Sequence, residues 1–318
     1  MSFGRGKDLE HAERALATMR TVPTTSSLSA LKLAVVTGAS RGIGLGFTRQ
    51  LLERSSATIV ATSRTATESS ALQSLRSEFP GRIDAVNCDV TDAEQTAALR
   101  GHIKATHDGK DCGLLLNVAG LLHEQQSGLM PERSLASIDP AVMQRVMAVN
   151  AFGPLLMTQA VAPLMTKGAK IGNVSARVGS IADNRLGGWW SYRMSKAALN
   201  MCTVNTAIEL RRKGIVAVSL HPGTTDTNLS EPFQRNVKPE KVCVYLCRMP
   251  PLCAHACAVC AVSRSGLLTR GERCPCPFAW LQLFTVDYST GSMLDVLDGL
   301  GLEDSGKFFA YDGSPIEF

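Results

Sequence analysis

An apolar run, LKLAVVTG (31–38), breaks into Thr37-Gly38-Ala39-Ser40-Arg41-Gly42-Ile43-Gly44 and leads straight into a helical pattern. A β-branched strand that turns on glycines into a helix is compatible with few folds. Gly38 lets the chain turn tightly, Gly42 lets backbone approach a pyrophosphate, and Gly44 lets helix and strand pack closely. The helix start then offers unpaired N–H groups and the positive end of its dipole to a phosphate. A glycine pattern by itself is weak evidence; one that follows a strand and opens a helix is much stronger.

Short β-branched runs continue along the chain and alternate with helical segments: ATIVATSR, RIDAVNCDV, CGLLLNVAG, KIGNVSA and IVAVSLHPG. The intervals suit crossover helices, and the runs show little polar alternation, as in strands buried on both faces. The expectation is an α/β fold, a Rossmann-type doubly wound parallel sheet forming a single domain over 31–318. Residues 1–30 read as a tail, disordered or targeting.

The end of the second run selects the cofactor. An acidic residue there would accept the ribose hydroxyls of NAD, whereas an arginine accommodates a 2′-phosphate. The chain has Val60-Ala61-Thr62-Ser63-Arg64 and no carboxylate until Glu68, with Arg41 as a second guanidinium in the glycine turn. Two such groups suit bidentate phosphate recognition, so NADP(H) is the expected cofactor.

Further along, Tyr192 and Lys196 stand four residues apart, one turn along one helical face. An unassisted phenol is a poor proton donor or acceptor at neutral pH, and a nearby ammonium stabilises its phenolate.

These residues carry a family resemblance. TGASRGIG resembles the glycine turn of the short-chain dehydrogenase/reductase family. Cys88-Asp89-Val90-Thr91 resembles its adenine-binding segment, and Asn117-Val118-Ala119-Gly120 its Asn-Ala-Gly motif. Tyr192-Arg193-Met194-Ser195-Lys196 matches its Tyr-x-x-x-Lys, and His221-Pro222-Gly223-Thr224-Thr225-Asp226-Thr227 its Pro-Gly segment. The likeness runs from Leu31 to about Glu240 and resumes near Leu283. SARVGSIADNRLGGWWSYRMSKAALNM and GKFFAYDG resemble the C-factor-like branch.

The resemblance implies hydride transfer between NADP(H) and a carbonyl or alcohol carbon of a small molecule, with Tyr192 as acid/base. It implies that Lys196 also holds the nicotinamide ribose and that Asn150, in MAVNAFGP, joins a water-mediated proton relay. Cofactor contacts are expected at Thr37, Gly38, Ser40, Arg41, Gly42, Ile43, Gly44, Arg64, Asp89, Val90, Asn117, Ala119, Gly120, Pro222, Gly223, Thr225 and Thr227. A homo-oligomer built through helices is implied as well. One position departs from the pattern. The family usually places a carbonyl-polarising serine three residues after the Asn that ends the fifth strand, and Ala176 stands there after Asn173. Ser175 is the favoured substitute and Ser180 the other; strand alternation would turn Ser175 away unless the end of the strand bends. Trp189 and Trp190 line either the substrate mouth or a packing surface, and His221 reads as structural.

Composition narrows the setting. The net charge is +5 with no block of like charges, which leaves nucleic-acid binding without a footprint. No run of 18 apolar residues free of charge occurs, so no membrane span is expected. Of the ten cysteines, only Cys88, Cys112 and Cys202 lie outside the stretch from Cys243 to Cys276, a thin usage that fits a reducing, cytoplasmic setting. An organelle is the alternative if 1–30 is a transit peptide: Arg5, Lys7, Arg14 and Arg20 favour it, and Asp8, Glu10 and Glu13 count against it.

Residues 242–282 are an atypical Cys-, Pro- and Arg-rich insert without steady periodicity. Cys257 and Cys260 with His255 suggest a metal site, but no second ligand pair stands at compatible spacing, so no metal is expected. A true surface insertion is a second reading. The favoured one is a translated intron: removing Val242 to Gln282 leaves PEKLFTVDYS, which resembles the continuous family segment at its substrate loop. Two functions follow, an NADP(H)-dependent oxidoreductase and, as the alternative, a cofactor-binding regulatory or signalling protein with little turnover.

Overall fold

The computed structural model describes residues 28–236 and 283–318, residues 109 and 110 excepted. The insert 242–282 and all but the last three residues of the tail lie outside the described residues. Leu28 is buried and its N–H donates to Asp298 Oδ1 at 3.1 Å.

Adjacent residues of β1 (Leu33–Thr37) serve two different cores. Ala34 and Val36 face one cluster, with Phe47, Leu51, Leu72, Met293 and Leu297. Leu33 and Val35 face the other, with Leu99, Ile103, Met157, Val161 and Leu210. Strands buried on both sides need covering layers on both, which is why apolar runs alternate with helices. The first layer comprises α1 (Gly42–Arg54), α2 (Ser70–Glu78) and α7 (Val286–Gly299). The second comprises α3 (Ala93–Thr106), α4 (Pro140–Met147), α5 (Gly153–Val161) and α6 (Trp190–Leu210).

The remaining strands are β2 (Thr58–Ser63), β3 (Ile83–Asn87), β4 (Cys112–Asn117), β5 (Met165–Val174), β6 (Val216–His221), the short β7 (Thr224–Thr225) and β8 (Leu283–Phe284), β9 (Phe308–Ala310) and β10 (Pro315–Ile316). The main sheet has the order β10-β9-β6-β5-β4-β1-β2-β3 and is parallel except for β10, which pairs antiparallel with β9. This is the doubly wound, Rossmann-type architecture expected from the sequence. The winding reverses between β1 and β4, and ligands bind outside the carboxyl ends of strands at such a switch point. β7 and β8 form a separate parallel pair, Thr224 opposite Leu283 and Thr225 opposite Phe284.

Helices α4 and α5 join through a π-helical turn at Ala148–Phe152. The continuous run Pro140–Leu164 is long and apolar enough to cross a membrane by length and composition, but 56% of its apolar window is buried inside this fold. It is a core helix packed beside α6. A cavity of about 240 Å³ opens at the amino-terminal edge of the sheet, lined by Leu28, Leu31, Lys167 and Leu297. It touches none of the candidate catalytic or cofactor-binding residues.

Candidate active site

The turn after β1 is built as its glycines require. Gly38 has a φ of +65°, and a Cβ there would lie 3.0 Å from the backbone of Ala119. A Cβ on Gly44 would lie 2.2 Å from the carbonyl oxygen of Gly38. Both are therefore fixed as glycine, and the backbone is left open toward the switch point. Helix α1 starts from Arg41 in extended conformation, with no side-chain cap and no acidic residue in its first turn. Its first N–H groups thus remain available to an anion. Thr227 faces Gly42, its Cγ2 3.4 Å from where a Cβ would stand.

Arg41 and Arg64 are both exposed and form no ion pair among the described residues. Glu68, the first carboxylate after β2, is turned toward β3, where Asn87 Nδ2 donates to its two oxygens at 3.2 and 3.3 Å. No acidic residue of β2 stands at Arg64. The Glu124 carboxyl is held below its ordinary value by hydrogen bonds from Ser127 and Arg145, then by the charges of Arg145 and Arg64. Asp89 holds its own loop by accepting from Thr91 N at 2.9 Å and Thr91 Oγ1 at 2.7 Å, all through Oδ1. Val90 is buried in the second core, close against Gly153. This glycine cradle and the uncapped helix start fit a dinucleotide.

Other expected cofactor contacts brace the strand ends. Thr37 Oγ1 accepts from Val118 N at 2.9 Å and Ala119 N at 3.1 Å, tying β1 to the segment after β4. Asn117 is buried and donates to Asn173 Oδ1 at 2.8 Å; Asn173 in turn donates to Thr203 Oγ1 at 2.8 Å. Thr225 is buried against Pro222 and Ser289. The sequence motif marks the position of these side chains but not whether they face a ligand or a neighbouring strand.

Tyr192, Lys196 and Asn150 come together beside Gly120. Lys196 Nζ lies 5.7 Å from the Tyr192 ring centroid and donates to the Val174 carbonyl at 2.8 Å. A Cβ on Gly120 would lie 3.5 Å from Asn150 Oδ1 and 3.9 Å from Lys196 Nζ. Asn150 sits in the π-turn, where its amide donates to Leu121 O at 2.8 Å and its Oδ1 accepts from Leu121 N at 2.7 Å. Single π-turns inside α-helices frequently mark functional sites. The sequence carries no signal for this one.

Burial governs the electrostatics. It pushes the Lys196 ammonium down to about 8 and the Tyr192 phenol up, since each charged form is disfavoured away from water. Burial, and then Arg177, push His221 down to about 4.

The strand end at Ser175 keeps its ladder. Asn173 reaches α6, Val174 enters the core on the opposite face, and Ser175 N still bonds Leu220 O in ladder fashion. The ladder with β6 thus continues one residue past Val174. Ser175 is buried, and its Oγ has no hydrogen-bond partner among the described residues. Ser180 is occupied, its Oγ accepting from Asp183 N at 3.0 Å. Beside Tyr192 stands an aromatic wall the motifs do not announce. Trp189 meets the Tyr192 ring edge-on at 6.2 Å and Phe233 at 4.8 Å, and His123 packs against Phe233 at 5.9 Å.

Comparison with known proteins agrees with this geometry. The family model described as short chain dehydrogenase matches residues 32–238. The 1-hydroxy-2-glutathionyl-2-methyl-3-butene dehydrogenase of Rhodococcus sp. (strain AD45) is 34% identical over 199 residues, covering 63% of this chain and 80% of that protein. C-signal of Myxococcus xanthus is 33% identical over 205 residues, 64% of this chain and 90% of that one. The crystal structure of NADPH-bound carbonyl reductase from chicken fatty liver is similar with a TM-score of 0.67 at 29% identity, covering 91% of this chain and 99% of that one. The chain belongs to the short-chain dehydrogenase/reductase family of oxidoreductases, in its C-factor-like branch.

Proposed function

We propose that the chain is an NADP(H)-dependent oxidoreductase that reduces a carbonyl, or oxidises an alcohol, on a small molecule, with Tyr192 as the acid/base. One observation carries the reading: Tyr192, Lys196 and Asn150 converge at the carboxyl end of the sheet. The exposed Arg41 and Arg64 favour a 2′-phosphate, as does the likeness to an NADPH-bound carbonyl reductase.

The uncapped start of α1 would hold the pyrophosphate, Arg41 and Arg64 the 2′-phosphate, Asp89 the adenine side, and Lys196 and Thr227 the nicotinamide side. When bound, the cofactor supplies hydride-transfer chemistry. Ser175 Oγ donates a hydrogen bond to the substrate oxygen and favours negative charge there. Tyr192 gives its phenolic proton to that oxygen, and the Lys196 ammonium stabilises the phenolate that results. Asn150 holds the Leu121 backbone and the helix that carries both residues.

The test is consumption of NADPH over a panel of aldehydes, ketones and quinones. Turnover of at least one class is expected, and Arg41→Ala and Arg64→Ala should each raise the Kd for NADPH about 10-fold while leaving NADH unaffected. NADPH binding without turnover on any class would favour a second reading, a cofactor-binding regulatory protein. Ala176, in place of the usual serine, is the observation behind it. We also infer a homo-oligomer, because Met194, Met201 and Ile208 recur every seven residues on α6 and are exposed, as are Phe152 and Leu155 on the adjoining helical run. Such a stripe suits association between copies, and sedimentation would measure it.

A further inference from the structure

Helix α6 begins without a cap of its own. Gly187, Gly188 and Trp189 are three successive left-handed residues, with φ values of 64°, 64° and 51°. Trp189 is the only non-glycine residue with positive φ among the described residues, and it occupies the N-cap position with no side-chain cap. A bulky side chain in that conformation is strained and persists only where its surroundings over-determine it.

Contacts from outside the turn do this. The Trp189 N–H donates to the Glu132 carbonyl at 2.6 Å. The Glu132 carboxylate accepts from Ser191 N at 3.2 Å through Oε2 and from the Ser191 hydroxyl through Oε1. Arg193 Nε donates to the carbonyls of Gly187 and Gly188 at 3.1 and 3.0 Å. Glu132 is 5% exposed, and no Lys or Arg side chain pairs with it among the described residues. A carboxylate withdrawn from water without a cation needs another source of stabilisation, and the amino-terminal turn of α6 provides one through its N–H groups and its dipole. The residue after Ser191 is Tyr192.

We propose that Glu132 is a positioning residue for Tyr192. Its carboxylate supplies the cap that α6 lacks, and its carbonyl keeps Trp189 left-handed, so that the phenol and the indole beside it are held in one register. This rests on the reading of Tyr192 as proton donor. Glu132 acts on the reaction only through Ser191 and Trp189.

The experiment compares E132A with E132Q, which keeps an oxygen acceptor but loses the charge. For E132A, kcat should fall about 10- to 100-fold, the size of effect expected from misplacing a reacting group by roughly an ångström. The Kd for NADPH should not change, and hydrogen-exchange protection of the Ser191 and Tyr192 amides should be lost. E132Q should recover most of the rate and the protection. Wild-type kcat in E132A, or a lowered Tm with kcat per folded molecule intact, would overturn the proposal. If E132A does not fold, S191A, which removes the hydroxyl half of the cap, decides: a lowered kcat with the NADPH Kd unchanged supports the cap, and wild-type kcat overturns it. If the wild-type chain reduces no carbonyl, the proposed function fails by itself, and amide protection alone then judges Glu132. Loss in E132A and recovery in E132Q support it; unchanged protection contradicts it.

Discussion

Asn150 Nδ2 donates to Ser195 Oγ at 3.0 Å, a buried bond that joins the π-turn between α4 and α5 to the helix carrying Tyr192 and Lys196. Ser195 Oγ lies in turn 2.8 Å from the Tyr192 carbonyl, to which it donates. Asn150 is thus mechanically linked to Tyr192 through a residue inside the Tyr-x-x-x-Lys motif. Asn150→Ala should lower kcat on the order of 100-fold with the NADPH Kd unchanged, because relay and alignment are lost together. Ser195→Ala, which removes only the link, should cost less. Steady-state kinetics alongside NADPH titration separates the two effects.

Ser175 makes a sharper prediction. Its hydroxyl is buried and has no hydrogen-bond partner among the described residues, which leaves its proton unassigned within the protein. Ser175→Ala should reduce kcat by about 100-fold, as loss of an oxyanion-type donor does. Ala176→Ser should raise turnover if the family position still points at the substrate, and change nothing if alternation has given that work to Ser175 alone. Paired kcat measurements on the two variants give the answer.

Acid stability should depend on His221. Its folded pKa, near 4, lies below the ordinary value of 6.5, so the unfolded chain binds more protons between those pH values. Stability is therefore greatest above about pH 6.5 and declines as pH falls toward 4, by up to about 3 kcal/mol for a shift of this size. His221→Gln should flatten that part of the Tm-against-pH curve. An unchanged slope would assign the acid sensitivity elsewhere.

The fold resumes at Leu283, which pairs at once with Thr224, while Phe284 packs against Gly223 and Tyr311. Removing Val242–Gln282 would join Lys241 directly to that strand. The expectation is that transcript sequencing finds a message without these codons. The shortened protein should melt no lower than the long form and should turn over substrate at least as fast. A transcript population containing only the long form would refute the intron reading.

What could be read from the sequence was local. The glycine turn, Arg64 at the end of β2 and the four-residue spacing of Tyr192 and Lys196 each lie within a few residues, so periodicity and steric requirement were enough. What could not be read was set by contacts across the chain. Glu132 meets Ser191 from 59 residues away. The π-turn at Asn150 has no compositional mark, and Asn117 turns into an inter-strand network because Asn173 and Thr203 lie beside it. The face taken by Ser175 depends on how far the ladder with β6 continues past Val174, and no propensity encodes that.

The central claim is that Tyr192 protonates a substrate oxygen while NADPH is consumed. The most direct measurement is NADPH oxidation by Tyr192→Phe beside the wild type, on the best substrate of the panel, with NADPH affinity determined for both. The account predicts a loss in kcat of about 100- to 10,000-fold with NADPH affinity intact, since only the proton donor has been removed. A Tyr192→Phe protein that keeps wild-type turnover would contradict it.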